Sequence, residues 1–426
     1  MKAICAVLFA GMVGCAFVQP VSTADAATFT EKVLYSFCSQ RNCKDGAYPE
    51  AKVIEVNGIL YKTTSGGGRG VACYTQGCGT VFSLDPNMGV ETVLHSFCRQ
   101  LNCPDGADPF DAGLIDVKGT MYGTAFEGGG NGCGGSGCGT VFSVDPNTGA
   151  ETVLYSFNDS PSDGAYPQGE LLHVEGTIYG TTQGGGAGGM GTVFALDRKK
   201  ATETLLYSFC SRQNCADGFN PVGLIDVNGT LYGTTLQGGS YNCDQGEGCG
   251  TAFSLDPNTG AETVLHSFGN GTDGGHPYAG LIALNGILFG TTGYGGADGG
   301  GTVFSIDPNT GAETVLYSFC SQQNCTDGAN PSATLIDVKG TLYGTTRAGG
   351  SVGNGTVFLL DPGTGAETVL YSFSSGTDGA DPQASLINVN GTLYGTTGGG
   401  GAYGEGTVFV LKKKRQARLP WLAPSP

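Results

Sequence analysis

Cations and histidine are scarce in this 426-residue sequence. Lys and Arg number 20 against 37 Asp and Glu, a net charge of −17, and charged residues make up only 13% of the chain. An acidic surface repels phosphate, which excludes nucleic acid as a partner, while it favours solubility outside the cell and attracts cations. There are four histidines, and no G-x-S-x-G elbow, H-E-x-x-H pair or phosphate loop. The arginines Arg41, Arg69, Arg99, Arg212 and Arg347 are scattered and form no sialidase-like cluster. No stretch keeps a 3.6-residue apolar period, so an all-β chain is expected. Beyond the N-terminus no apolar run approaches the roughly 18 residues of a membrane-spanning helix.

The N-terminus itself carries a targeting pattern: Lys2, an apolar run over residues 3–18, and the small-x-small site Ala24-Asp25-Ala26. This predicts a signal peptide over 1–26 and a secreted, extracellular or periplasmic chain starting at Ala27. A competing reading takes Met12-Val13-Gly14-Cys15 as a lipoprotein box that anchors the chain through Cys15. The other end, residues 412–426, is basic and Pro-containing and predicts a disordered tail.

Between these ends the sequence repeats itself. Segments close to E-T-V-L-[YH]-S-F begin at Glu31, Glu91, Glu151, Glu203, Glu262, Glu313 and Glu367. A second marker, Asp-Gly with Pro four residues after the Asp, recurs at Asp45, Asp105, Asp163, Asp217, Asp273, Asp327 and Asp378, spaced 51 to 60 residues apart. That period suits a propeller blade. Each copy reads as four short strands; in the last, residues 385–389, an Asn390-Gly391 turn, residues 392–397 and residues 407–411. The fourth strand of every other copy is the E-T-V-L-Y-S-F segment. Five copies enter it through a full Asp-Pro-x-x-Gly turn, while the third has Asp197-Arg198-Lys199-Lys200 instead.

Seven four-stranded antiparallel units close best as a ring, which protects their edges. The chain begins with a fourth-type strand, residues 32–37, and ends on a third-type strand. The expected fold is therefore a seven-bladed β-propeller over residues 27–411, its last blade completed by the N-terminal strand.

The order of apolar strand, Asn-Gly, Leu-Tyr-Gly-Thr-Thr, Gly-Gly and a strand ending in Asp-Pro-x-Thr-Gly resembles a kelch repeat. The whole unit, over residues 30–411, more specifically resembles the GloVer tandem repeat of exported choice-of-anchor proteins. That resemblance implies export and a repeat array, with no activity attached. The tail here lacks the apolar span of a sorting anchor.

In such a ring one face would receive only tight turns, and the other both long loops of every blade. The long-loop face is the expected binding face. The seven marker aspartates, Asp45, Asp105, Asp163, Asp217, Asp273, Asp327 and Asp378, would ring the channel mouth there. They are candidates to hold a cation such as calcium, or sugar hydroxyls, against the plainer reading that Asp-Gly is turn chemistry. His276, before Pro277, is the one histidine a ligand could reach. His95 and His266 replace a recurrent tyrosine as packing residues, and His173 lies on an inner strand.

Fourteen cysteines fall into seven local pairs. Cys38 with Cys43, Cys98 with Cys103, Cys210 with Cys215 and Cys320 with Cys325 lie between blades, while Cys73 with Cys78, Cys133 with Cys138 and Cys243 with Cys249 lie in Gly-rich loops. In an exported chain these predict disulfides; zinc is the alternative, although Cys320 and Cys325 have no second pair to complete four ligands. No cofactor motif is present. Two functions remain open, a monomeric binding or scaffold propeller for a glycan, protein or envelope component, and an extracellular glycosidase or lyase using mouth carboxylates.

Overall fold

The computed structural model describes residues 29–70, 73, 77–110, 113–243 and 246–414. The expected signal peptide, Cys5, Cys15 and the tail from 415 onward lie outside the described residues. Strands β1 (Phe29–Ser36) to β28 (Thr407–Lys413) form seven four-stranded antiparallel sheets, and no α-helix occurs among the described residues.

Blade one runs outward from the axis as β2 (Ile54–Val56), β3 (Ile59–Thr64), β4 (Thr80–Asp85) and β5 (Val90–Ser96). The last blade is ordered β26 (Ile387–Val389), β27 (Thr392–Thr397), β28, β1. Here Glu31 pairs with Leu411 and Ser36 with Thr407, so the N-terminal strand closes the ring as expected. The innermost strand, expected from residue 385, starts at Ile387. Ser385 instead lines the axis and Leu386 enters the core.

Each hydrophobic cluster straddles two blades. Phe97 of blade one meets Phe142 of blade two edge-on, with centroids 5.0 Å apart, and the same pair recurs at every joint to Phe37–Phe82 between blades seven and one. Such edge contacts add to the area term, and most of these rings are wholly buried. Every outer strand carries a bulge before its Tyr or His, as between Val81 and Phe82 in the β4–β5 ladder, which raises the local twist.

The marker proline supplies the second half of the joint. Pro277 lies against Gly250 of the previous blade, where an added Cβ would come 2.7 Å from the ring and 2.3 Å from the Thr235 carbonyl oxygen. Pro49 meets Gly406 the same way at the closing joint. The residue before each proline, although never glycine, is left-handed, with φ between 51° and 61°. Its N–H crosses to a carbonyl of the previous blade's loop, as from His276 to Cys249 and from Asp381 to Asn354.

Gly250→Ala should therefore lower stability by at least ~2 kcal/mol, from strain at φ +92° plus the collision with Pro277. Gly391→Ala, at φ +84° with nothing within 4 Å, should cost only about 1 kcal/mol. Urea denaturation of both variants separates joint packing from backbone strain.

Candidate functional site

The interblade loops close on the marker aspartates. Asp45 accepts hydrogen bonds from the Tyr35 hydroxyl (2.8 Å), from Ser39 N–H and hydroxyl (2.8 Å each) and from Gln40 N–H (3.2 Å). Asp217 and Asp327 repeat this pattern with Tyr207 and Tyr317. Asp378 takes Tyr371 and Ser374, and Asp163 takes the N–H groups of Asn158 and Gly164. Asp105 and Asp273 bind His95 Nε2 (3.0 Å) and His266 Nε2 (2.9 Å). Both histidines thus stand in for a tyrosine hydroxyl. Asp45, Asp217 and Asp327 are fully buried, and the mouth cavities are lined by other residues.

The next blade lays a glutamate against each of these groups. Burial and the facing aspartate push Glu31, Glu151, Glu203, Glu262 and Glu313 up to about 7, and Glu91 and Glu367 up to about 8. His95, His266 and Arg212 partly oppose the rise at Glu151, Glu313 and Glu262. Oε1 of all seven is buried without a hydrogen-bond partner among the described residues. The result is a seven-fold seam of proton-holding carboxyls between blades.

The paired cysteines are disulfides in all seven expected pairs. Between blades Cys38 is bonded to Cys43, Cys98 to Cys103, Cys210 to Cys215 and Cys320 to Cys325. In the Gly-rich loops Cys73 is bonded to Cys78, Cys133 to Cys138 and Cys243 to Cys249. The second cysteine of each interblade pair is left-handed, with φ of 48° at Cys43, 42° at Cys103, 48° at Cys215 and 52° at Cys325. Its carbonyl ties the two long loops of a blade together: Cys43 accepts from the N–H groups of Gly46 and Gly68, and Cys325 from those of Gly328 and Gly350. In the second loop type Cys138 is buried, and its carbonyl accepts from Tyr166 of the next blade. The sulfurs of Cys73, Cys78 and Cys98 come within 4.8 Å of one another, and all three belong to disulfides.

The channel mouth is built by the residues on either side of the marker proline. Following it stand Glu50, Phe110, Gln168, Val222, Tyr278, Ser332 and Gln383, all lining the cavities on the long-loop face. Below them Ala51, Gly113, Gly169, Gly223, Gly280, Ala333 and Ala384 crowd the axis around a cavity of about 110 Å³. Lys52 and Glu170, 3.2 Å apart, bridge blades one and three across it. This floor underlies a wider cup of about 500 Å³, within the range of ligand pockets.

The rim has unlike walls. On one side Tyr278 and Tyr294 present half-exposed rings 6.0 Å apart, and the His276 ring stands edge-on to Tyr294 at 5.9 Å. His276 Nδ1 donates to the Leu236 carbonyl (3.1 Å). Arg347 Nε donates to Asp381 Oδ1 (2.8 Å), Gln383 to Asp381 Oδ2 (3.1 Å), and Asn330 to the Gly293 carbonyl (2.9 Å). On the other side Ser65 donates to Glu50 (3.1 Å), and burial pushes Glu50 and Glu127 up. Asp108 rises to about 7 through burial and the neighbouring Glu127 and Glu50. Sequence reasoning singled out His276, which the structure places at this rim, but otherwise concentrated on what recurs and passed over these positions. Their signal was variation: the residues flanking the proline change from copy to copy inside an otherwise constant unit.

A model of the Gloeobacter/Verrucomicrobia repeat matches residues 21–245 and 243–419. The chain belongs to the Gloeobacter/Verrucomicrobia repeat family. Among curated proteins nothing matches this family member. Among solved structures it is similar to an oligogalacturonate lyase in complex with manganese, with TM-score 0.54, 11% identity, and coverage of 91% of this chain and 97% of that one. It is also similar to the oligogalacturonate lyase of Vibrio parahaemolyticus, with TM-score 0.53, 9% identity, and coverage of 90% and 97%. At such identities the likeness is one of fold.

Two outcomes are expected from the seam. The folded chain holds protons on these glutamates to pH 7–8, whereas the unfolded chain releases them in the ordinary carboxylate range. Their contribution is whole below about pH 4.5, is lost progressively as pH rises above it, and is gone once pH has passed through 7 to 8. The thermal midpoint should fall from about pH 4.5 to 8 and level off above, and fall less steeply in the double variant Glu91→Gln, Glu367→Gln. Asp217→Ala, which strands the Tyr207 and Ser211 donors, should cost about 2–3 kcal/mol by urea denaturation.

Proposed function

We propose that this chain is an exported recognition propeller that binds its ligand in the cup on the long-loop face. The observation that carries the reading is the break in symmetry. Joints, turns and aspartate loops repeat around the ring, while Gln168, Tyr278, Asn330, Asp381 and Gln383 beside the prolines, with Tyr294 and Arg347 from the Gly-rich loops, present aromatic, carboxamide, carboxylate and guanidinium groups to one cavity. Selective recognition needs unlike groups converging on one ligand. Seven disulfides suit an oxidising compartment, which supports export. The left-handed residues before the prolines hold the rim in one conformation, as ligand sites commonly do.

One observation favours a second reading as an extracellular carbohydrate-active enzyme. Burial, with the charges of Glu127 and of Glu50 on a different interblade loop, keeps the proton on Asp108 to about pH 7. A carboxyl protonated at neutral pH can serve as a general acid.

Co-sedimentation of the oxidised protein with purified bacterial sacculi and capsular polysaccharide, with and without calcium, tests both. Wild type and Asn309→Trp, on the opposite face, should sediment. Ala348→Trp, which fills the cup, should remain soluble with an unchanged melting temperature. Equal sedimentation of all three, or of none, overturns the recognition reading at this site. Release of soluble sugar that is abolished in Asp108→Asn establishes the enzyme instead.

A further inference from the structure

We infer that the aromatic wall of the cup is a subsite for the ring of a neutral sugar, an assignment that rests on the recognition reading above. A pyranose has an apolar C–H face and a rim of hydroxyls that donate and accept at once. The cup answers both. Tyr278 and Tyr294 are among the largest exposed hydrophobic side chains of the described residues, at 39% and 48%, yet they lie together inside a concave site. Their rings make 65° with one another, so one can lie under a sugar face while the other stands at its edge. Aromatic side chains offer such a platform at small cost in conformational freedom.

The wall is fixed before any ligand arrives. His276 is held left-handed at φ 55°, its Nδ1 is engaged by Leu236, and its ring abuts Tyr294. Tyr278 is seated over Gly293, where an added Cβ would lie 2.5 Å from the ring. An ordered platform spares the cost of ordering on binding.

The remaining lining selects hydroxyls over charges. Gln168, Asn330 and Gln383 each carry a donor and an acceptor, as a hydroxyl does. Arg347, the cation of the cup, is already neutralised by Asp381 at 2.8 Å. Glu50 borders the adjoining cavity and Asp108 neighbours it. A polyuronate or phosphorylated ligand would therefore find no unpaired cation in the lining of the cup, whereas a neutral sugar needs none.

Isothermal titration of the oxidised full chain with cellotetraose, maltotetraose, mannotetraose, tetra-N-acetylchitotetraose and tetragalacturonate tests the assignment. At least one neutral tetrasaccharide should bind, and tetragalacturonate should not. Tyr278→Ala and Tyr294→Ala should each weaken binding about tenfold, roughly 1.4 kcal/mol. Tyr278→Phe should stay within threefold of wild type, because the ring face is what the sugar uses. Binding of tetragalacturonate alone, binding unchanged in both alanine variants, or no binding by any sugar overturns the assignment. If no sugar binds while sedimentation remains sensitive to Ala348→Trp, the recognition reading stands and only the sugar class fails. Sugar binding that ignores both Ala348→Trp and the tyrosine variants removes the cup itself from consideration.

Discussion

The joint between blades is the constraint on which the rest of this molecule depends. A four-stranded blade is too small to bury its own faces, and here every apolar cluster takes residues from two neighbours, as where Val81, Phe97 and Cys98 of blade one and its outgoing loop pack with Leu114, Met121 and Phe142 of blade two. Edge-on phenylalanines fill the middle of the joint. A proline packed on a glycine sets its upper edge. Neither contact tolerates drift, because the glycine has a backbone carbonyl on one side and the ring on the other. Since each blade is completed only by the next, an open chain of blades would expose two such faces. Pairing of Glu31 with Leu411 removes them.

That division of labour frees the rim. Phenylalanine, glycine and proline are bound to their positions by packing, and the aspartate and glutamate by the seam, so all recur. The residues beside the proline are held by their backbone, through a left-handed φ and a cross-blade N–H bond, while their side chains project past the joint. Backbone fixation leaves side-chain identity open, and seven such openings on one face give the ring a mouth that can be written differently at each position. The opposite face has no such latitude. There Asp85, Asp145, Asp256, Asp307 and Asp361 each accept the N–H two residues on, and Asp197 does the same without the proline and glycine of the standard turn.

Strand order, ring closure and the disulfides were legible in the sequence because each is written locally: hairpin turns, a spare outer strand at the beginning of the chain, cysteines five or six residues apart. The seam was not. Glu91 meets Asp45 only because the twist of the blades carries the foot of one outer strand against the head of its neighbour, and no spacing along the chain expresses that angle. The marker aspartates illustrate the same limit. Their recurrence pointed to a ring, but whether the ring faced the channel or its own loop depended on where the chain turns after Asp45. It turns so that the carboxylate caps residues 39 and 40, and Glu50 reaches the mouth.

The departures from symmetry also reach below the rim. Where six blades have glycine in Leu-Tyr-Gly-Thr-Thr or its close variants, with the phenylalanine of the next strand pressed on it, blade one has Lys62, fully buried. Its ammonium donates to the Pro49 carbonyl (2.6 Å) and to the Thr396 hydroxyl of blade seven, and its charge opposes the effect of burial on Glu50. A buried lysine is costly unless its donors are met, and these partners anchor the loop that presents Glu50. The acidic wall is thus reinforced from beneath by a residue that no other blade carries, as the aromatic wall is by His276. Two unlike features, each with its own internal support, thus share one mouth, the aromatic wall in the cup and Glu50 at the adjoining cavity.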